Sequence, residues 1–154
     1  MGTVEIAAGY ASEDIADQYP GSALYSKPVE VIPGVWSAIG ATAPPTYENT
    51  GHNNNLSFIV TGDGVVVVNG GAAYLLAKAL HDEIKLITDQ PVKLVINENG
   101  QGHAMLGNSY WFEQQVPILA HIDAVHEFEQ RGSDSLEAMK RYNRGKADGT
   151  VLVK

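Results

Sequence analysis

The stretch LSFIVTGDGVVVVNGG, residues 56–71, decides the architecture. Two β-rich runs, residues 56–61 and 65–68, flank Gly62-Asp63-Gly64, which is a hairpin signal. Val65–Val68 is apolar without alternation, the mark of a strand covered on both faces. Directly after it, Ala72–Ile87 carries Ala72, Leu75, Leu76, Ala79, Leu80, Ile84 and Ile87 at helical spacing, with Lys78, Asp82 and Lys85 on the other side. A hairpin whose second strand feeds an amphipathic helix predicts a crossover to a parallel strand, and residues 91–97, PVKLVIN, supply that strand.

Working outward, Val29, Val31, Val35 and Ile39 are strand formers around a Pro33-Gly34 turn, so the sheet begins with a meander. Residues 1–27 read as an N-terminal arm with apolar anchors Ile6, Tyr10, Ile15, Tyr19, Leu24 and Tyr25, placed to pack on a partner. The remainder, residues 28–154, reads as one domain. Its second half predicts a short helix over 106–114, a strand over 116–121 and a helix over 122–131 ended by Gly132. A last helix over 134–144 and a strand-like end at residues 151–154 follow. Strands alternating with helices make this an α/β protein with a mixed sheet.

The chain has 154 residues, no cysteine and a formal net charge of −8. Thiolate nucleophiles and thiolate metal sites are excluded. The negative charge argues against nucleic acid, whose phosphates call for clustered Lys and Arg. No apolar run approaches the roughly 18 residues of a membrane span. No signal-peptide pattern opens the chain, so a cytoplasmic location is expected.

The loop after the second parallel strand, ENGQGHAMLGN (residues 98–108), concentrates polar side chains and glycines at a strand end. Together with NNNLSFIVTGDGVVVVNGG, the amphipathic helix, PVKLVIN and PILAH, it resembles the N-terminal half of a metallo-β-lactamase-fold hydrolase. The flavour is that of the branch related to quinoprotein-relay and sulfur-oxidation hydrolases. The resemblance runs from about Val29 to Gly145. It implies half of an αβ/βα sandwich, a mixed sheet with helices on one face. It also implies a metal motif of the form Asp-Thr/Ser-Gly after one strand and His-x-His-x-Asp-His after the next.

This sequence departs from that motif at every metal-ligand position. Asn69-Gly70-Gly71 stands for Asp-Thr-Gly. Asn99 and Gln101 stand where the first two histidines belong, His103 stands at the aspartate and Ala104 at the last histidine. Carboxamides are weak donors beside imidazole or carboxylate, and a catalytic zinc takes about three protein ligands. His103, with Glu98, is therefore the remaining candidate for a catalytic or metal role. Asn69, Asn99, Gln101, His52 and Asn54 are candidate ligand-binding residues. Zinc or iron is expected only if a partner adds ligands.

The second half of the family fold has no match here. The resemblance thus implies a partner, either a second copy or a C-terminal-half chain, and this chain alone is expected to be inactive. The alternative is a non-catalytic pseudoenzyme dimer, or scaffold, that binds a small molecule. The end at TVLVK also admits a piece of a longer protein. Asp123 and His126, at i, i+3 on the next helix, read as an acid near the positive helix end rather than as a site.

Overall fold

The computed structural model describes Tyr19 and residues 21–153. Ile6, Tyr10 and Ile15 lie outside the described residues. Six strands form one sheet in the order of the chain: β1 Val29–Ile32, β2 Val35–Ala38, β3 Leu56–Val60, β4 Val65–Val68, β5 Val92–Asn97 and β6 Ile118–Ala120. The first four are antiparallel, and β4, β5 and β6 are parallel. The parallel pairs require crossovers. Helix α1 (Tyr74–Ile87) makes the first, and the short helices α2 (Gly102–Met105) and α3 (Asn108–Glu113) make the second. Helix α4 (Ile122–Asn143) and a 3₁₀ turn (Arg144–Ala147) follow. Crossovers of one hand that step in one direction place their helices on one face.

The pairing register shows how the two faces differ. Trp36, Phe58, Val67, Val95 and Ile118 face each other across five strands on the helical side, with Phe58, Val67 and Val95 fully buried. Leu76, Leu80 and Ile84 of α1 and Trp111 of α3 belong to the same core. The opposite face carries the row Val29, Ser37, Ser57, Val68, Ile96 and Leu119, and beside it Ile32, Val35, Ile59, Val66 and Leu94. Val66 and Val68 are half-buried, while Ile32 and Leu119 are 62% and 56% exposed. The four-valine strand is thus buried on one face and half-open on the other. The two serines satisfy each other, with Ser37 Oγ and Ser57 Oγ 2.9 Å apart.

Three secondary-structure expectations change. Gly132 does not end a helix: α4 runs 22 residues through it. A Cβ there would lie 3.3 Å from Phe128 and 3.4 Å from Leu152, so the glycine serves close packing. Its intrinsic cost of about 1 kcal/mol is small against the packing on either side. Helix α1 begins at Tyr74, not Ala72, because Ala73 offers no side-chain cap and the Tyr74 N–H is instead taken by Thr150 Oγ1 at 2.9 Å. The described part of the N-terminal segment packs on its own domain: Leu24 and Tyr25 are buried, and Tyr19 Oη donates to Glu83 Oε1 at 2.6 Å. Residues 151–153 form no strand. No described helix is long and apolar enough to cross a membrane.

Among the described glycines the tightest approach is at Gly107, where a Cβ would stand 2.1 Å from the Gly70 carbonyl oxygen. Neither side is a flexible side chain, so one segment must shift. Gly107→Ala is expected to cost about 2 kcal/mol or more, as overpacking does, and urea unfolding measures it.

Candidate functional site

The candidate site is built where β4 and β5 end. Asn69 leaves β4 with φ +72°, in the left-handed region that asparagine tolerates better than most residues. This turns Gly70 and Gly71 onto the segment after β5. Gly70 N–H donates to Ala104 O at 2.7 Å and to Asn97 Oδ1 at 3.1 Å. Gly107 N–H donates to Gly71 O at 2.7 Å, and Trp111 Nε1–H to Gly70 O at 3.2 Å. Gly70 has no room for a Cβ, which would collide with Asn108 Oδ1. Gly100 is similarly confined against the Ala124 carbonyl of α4.

The amide side chains are occupied within this arrangement. Asn69 Oδ1 accepts from Glu98 N–H at 3.2 Å. Asn99 Oδ1 accepts from Gln101 N–H at 2.9 Å, an Asx turn that shapes the loop. Asn97 Nδ2 donates to Asn108 Oδ1 at 3.2 Å. Asn97 and Asn108 are 3% and 4% exposed and belong to the site's framework. Gln101 is exposed, and its side chain makes no capping hydrogen bond at the start of α2 among the described residues.

His103 is half-buried, with Nε2 3.5 Å from Asn99 Nδ2. Burial pulls its pKa below the usual histidine value, and the Glu98 carboxylate opposes that shift. The structure therefore brings Asn69, Glu98, Asn99 and His103 to one end of the sheet. His52 is elsewhere. It is fully buried, its Nδ1 accepts from Tyr25 N–H at 2.9 Å, and its Nε2 lies 3.2 Å from Ala38 O. That pattern assigns the proton to Nε2 and leaves no ring atom to meet a ligand. Asn54 has both side-chain polar atoms buried with no hydrogen-bond partner among the described residues. His121 and Asp123 are exposed at the start of α4, where His121 Nδ1 accepts from Asp123 N–H.

Among the described residues no group of three or more His, Asp and Glu could hold a metal ion. The donors left at the turn, His103 and Glu98, fall short of the three a catalytic zinc takes. The residues present do not fit the zinc that this fold carries elsewhere.

No family profile and no curated protein matches the chain in sequence. Solved structures do match it in fold. The metallo-β-lactamase FIM-1 from Pseudomonas aeruginosa, in its mono-zinc form, is 18% identical with a TM-score of 0.58, over 69% of this chain and 46% of that one. The metallo-β-lactamase from Hirschia baltica is 20% identical with a TM-score of 0.57, over 69% and 48%. That from Erythrobacter litoralis, with β-mercaptoethanol in its active site, is 14% identical with a TM-score of 0.56, over 68% and 45%. The chain spans just under half the length of each. Its fold is a half-domain of the metallo-β-lactamase fold.

Two outcomes follow from the histidines. Burial depresses the His52 pKa to about 4 from 6.5. The unfolded chain then binds the extra proton first as pH falls, so stability is full above about 6.5 and is lost toward pH 4, by about 3 kcal/mol. His52→Asn keeps an acceptor for Tyr25 N–H and cannot titrate. Unfolding free energies across pH 4–7 should show most of that slope gone. His103→Ala, which removes only a half-buried ring with one long contact, should change stability by about 0.5 kcal/mol or less in the same assay.

Proposed function

We propose that this chain is a binding and assembly half-domain rather than a metal-dependent hydrolase, and that it works as one half of a two-sheet sandwich completed by a second copy. The occupied amides carry this reading. Where a metal site needs free, anionic or imidazole donors, Asn69 and Asn99 are held by backbone N–H groups of the loop itself. Such a turn is a rigid hydrogen-bonding surface. It offers Gln101, Asn99 Nδ2 and the edge of His103 to a small polar ligand.

The open sheet face supports the assembly half of the reading. Its two rows contain no charged side chain in a chain of net charge −8. Six strands give it roughly 25 Å by 15 Å. Counting both partners, this comes to roughly 750 Å² of flat area, so the side-chain relief and the flanking loops must bring it to the roughly 1,000 Å² a specific interface clears. A two-fold axis would set the same apolar rows against each other. A separate C-terminal-half chain is the other possible occupant, and the test separates them.

A hydrolase reading rests on His103 with Glu98, whose charge acts on the ring. It requires the partner to bring the missing zinc or iron ligands.

Metal analysis of the purified assembly should find less than about a tenth of an equivalent of zinc or iron, on the ligand-count argument. A stoichiometric metal, with chelator-sensitive hydrolysis of an ester, thioester or lactam, would overturn the binding reading. Light scattering at tens of micromolar should give twice the 16.5 kDa chain mass. Val66→Asp, which places a charge in the centre of the open face, should give a folded monomer. A wild type that stays monomeric by itself and pairs only with a different chain would assign the face to that chain instead.

A further inference from the structure

A cavity of about 470 Å³ lies on the helical side of the sheet, between β6 and α4. Its walls are apolar, formed chiefly by Met105, Ile118, Val125 and Phe128. Asn108 is the polar residue deep in the wall, at 4% exposure, and exposed Glu129 stands at the rim. The volume is that of a small-molecule pocket, about 300–1,000 Å³.

The hydrogen-bond chain beneath the cavity determines which atom Asn108 presents. Gly70 N–H can only donate, so the Asn97 atom it meets is Oδ1. The other end of the Asn97 amide is then Nδ2, a donor, and the Asn108 atom it meets must be Oδ1. Asn108 Nδ2 is left as the free end. It makes no hydrogen bond to a described residue and is not among the fully enclosed polar atoms, so it opens to the space this residue lines. A backbone N–H two residues removed in the chain of contacts thus forces an N–H donor into an otherwise apolar cavity.

We infer that this cavity is a binding site for a small neutral carbonyl compound with an apolar body, its carbonyl oxygen accepting from Asn108 Nδ2. An anion is disfavoured by Glu129 at the rim and by the net charge of −8. An apolar molecule displaces water that the walls cannot hydrogen-bond, and the single donor orients it. The site stands apart from the open sheet face, since Ile118 faces the helices and Leu119 faces the other way. Failure of the dimer reading leaves it untouched.

The probes are 2-heptanone, 2-nonanone and heptanoate, titrated into the full chain by calorimetry and by ¹⁵N–¹H spectra. Both ketones should bind saturably, with affinity rising about fourfold per added methylene. The Asn108 side-chain amide signals should shift, and heptanoate should bind at least tenfold more weakly than 2-heptanone. Val125→Trp fills the cavity without touching the Asn97–Asn108 chain and should abolish ketone binding while the fold is kept. Ala120→Leu fills it from β6 should the tryptophan variant not fold. No saturable ketone binding, ketone binding unchanged in a folded filled variant, or heptanoate binding as tightly as the ketone would overturn the inference.

Discussion

The contact between Gly70 and Gly107 is the constraint on which the rest depends. Two backbone segments, one leaving β4 and one entering α3, meet so closely that a Cβ on Gly107 would strike the Gly70 carbonyl and one on Gly70 would strike the Asn108 side chain. Around that contact run the hydrogen bonds Gly70 N–H to Ala104 O, Gly107 N–H to Gly71 O and Trp111 Nε1–H to Gly70 O. Together they lock the ends of two parallel strands to the second crossover. The candidate site, the direction of α2 and α3, and the orientation of the Asn97–Asn108 amide chain all derive from it. Backbone groups buried at this depth have no water to turn to, so each bond that closes the turn also answers a desolvation cost.

The same turn explains the chemistry of the site. In a metal centre the side chains at such strand ends point donors inward and leave the backbone to be satisfied elsewhere. Here the side chains satisfy the backbone. Asn69 holds the amide of Glu98, Asn99 holds that of Gln101, and Asn97 holds that of Gly70. A neutral amide can do this in a low-dielectric setting without the penalty an unpaired carboxylate would meet. At this turn the side chains form a neutral arrangement bonded to its own backbone. His103 and Glu98 are the titratable groups that remain beside it.

The sheet divides the molecule into two unlike halves. Its helical face is closed by α1, α3 and α4 over an apolar core, with the cavity beside β6. Its other face is apolar, free of charge along both central rows, and half-open. The serine pair Ser37–Ser57 shows how that face tolerates polarity: the two hydroxyls meet each other and ask nothing of a covering layer. The metallo-β-lactamases that share the fold are matched over less than half their own length, and the match takes in about two thirds of this chain.

What the sequence by itself determined was the order and type of the elements and the location of the turn. The hairpin at Gly62–Gly64, the helix within 72–87 and the strand within 91–97 are governed by local periodicity and turn chemistry, which act over a few residues and are written in the residues concerned. That Asn69, Asn99, Gln101 and Ala104 bring no imidazole or carboxylate to the turn was equally legible. Only the tertiary structure decided the rest. Gly132 sits mid-helix because Phe128 and Leu152 pack against it, a long-range fit that outweighs its local propensity. Helix α1 starts where Thr150 caps it, 76 residues away. His52 reads as a loop histidine, yet partners at Tyr25 and Ala38 make it a buried brace. Val65–Val68 reads as covered on both faces, but an unbroken apolar run records only that each face avoids water, not what covers it. Distant contacts of this kind leave no periodic trace in the chain, because burial and partner identity are properties of the assembled fold.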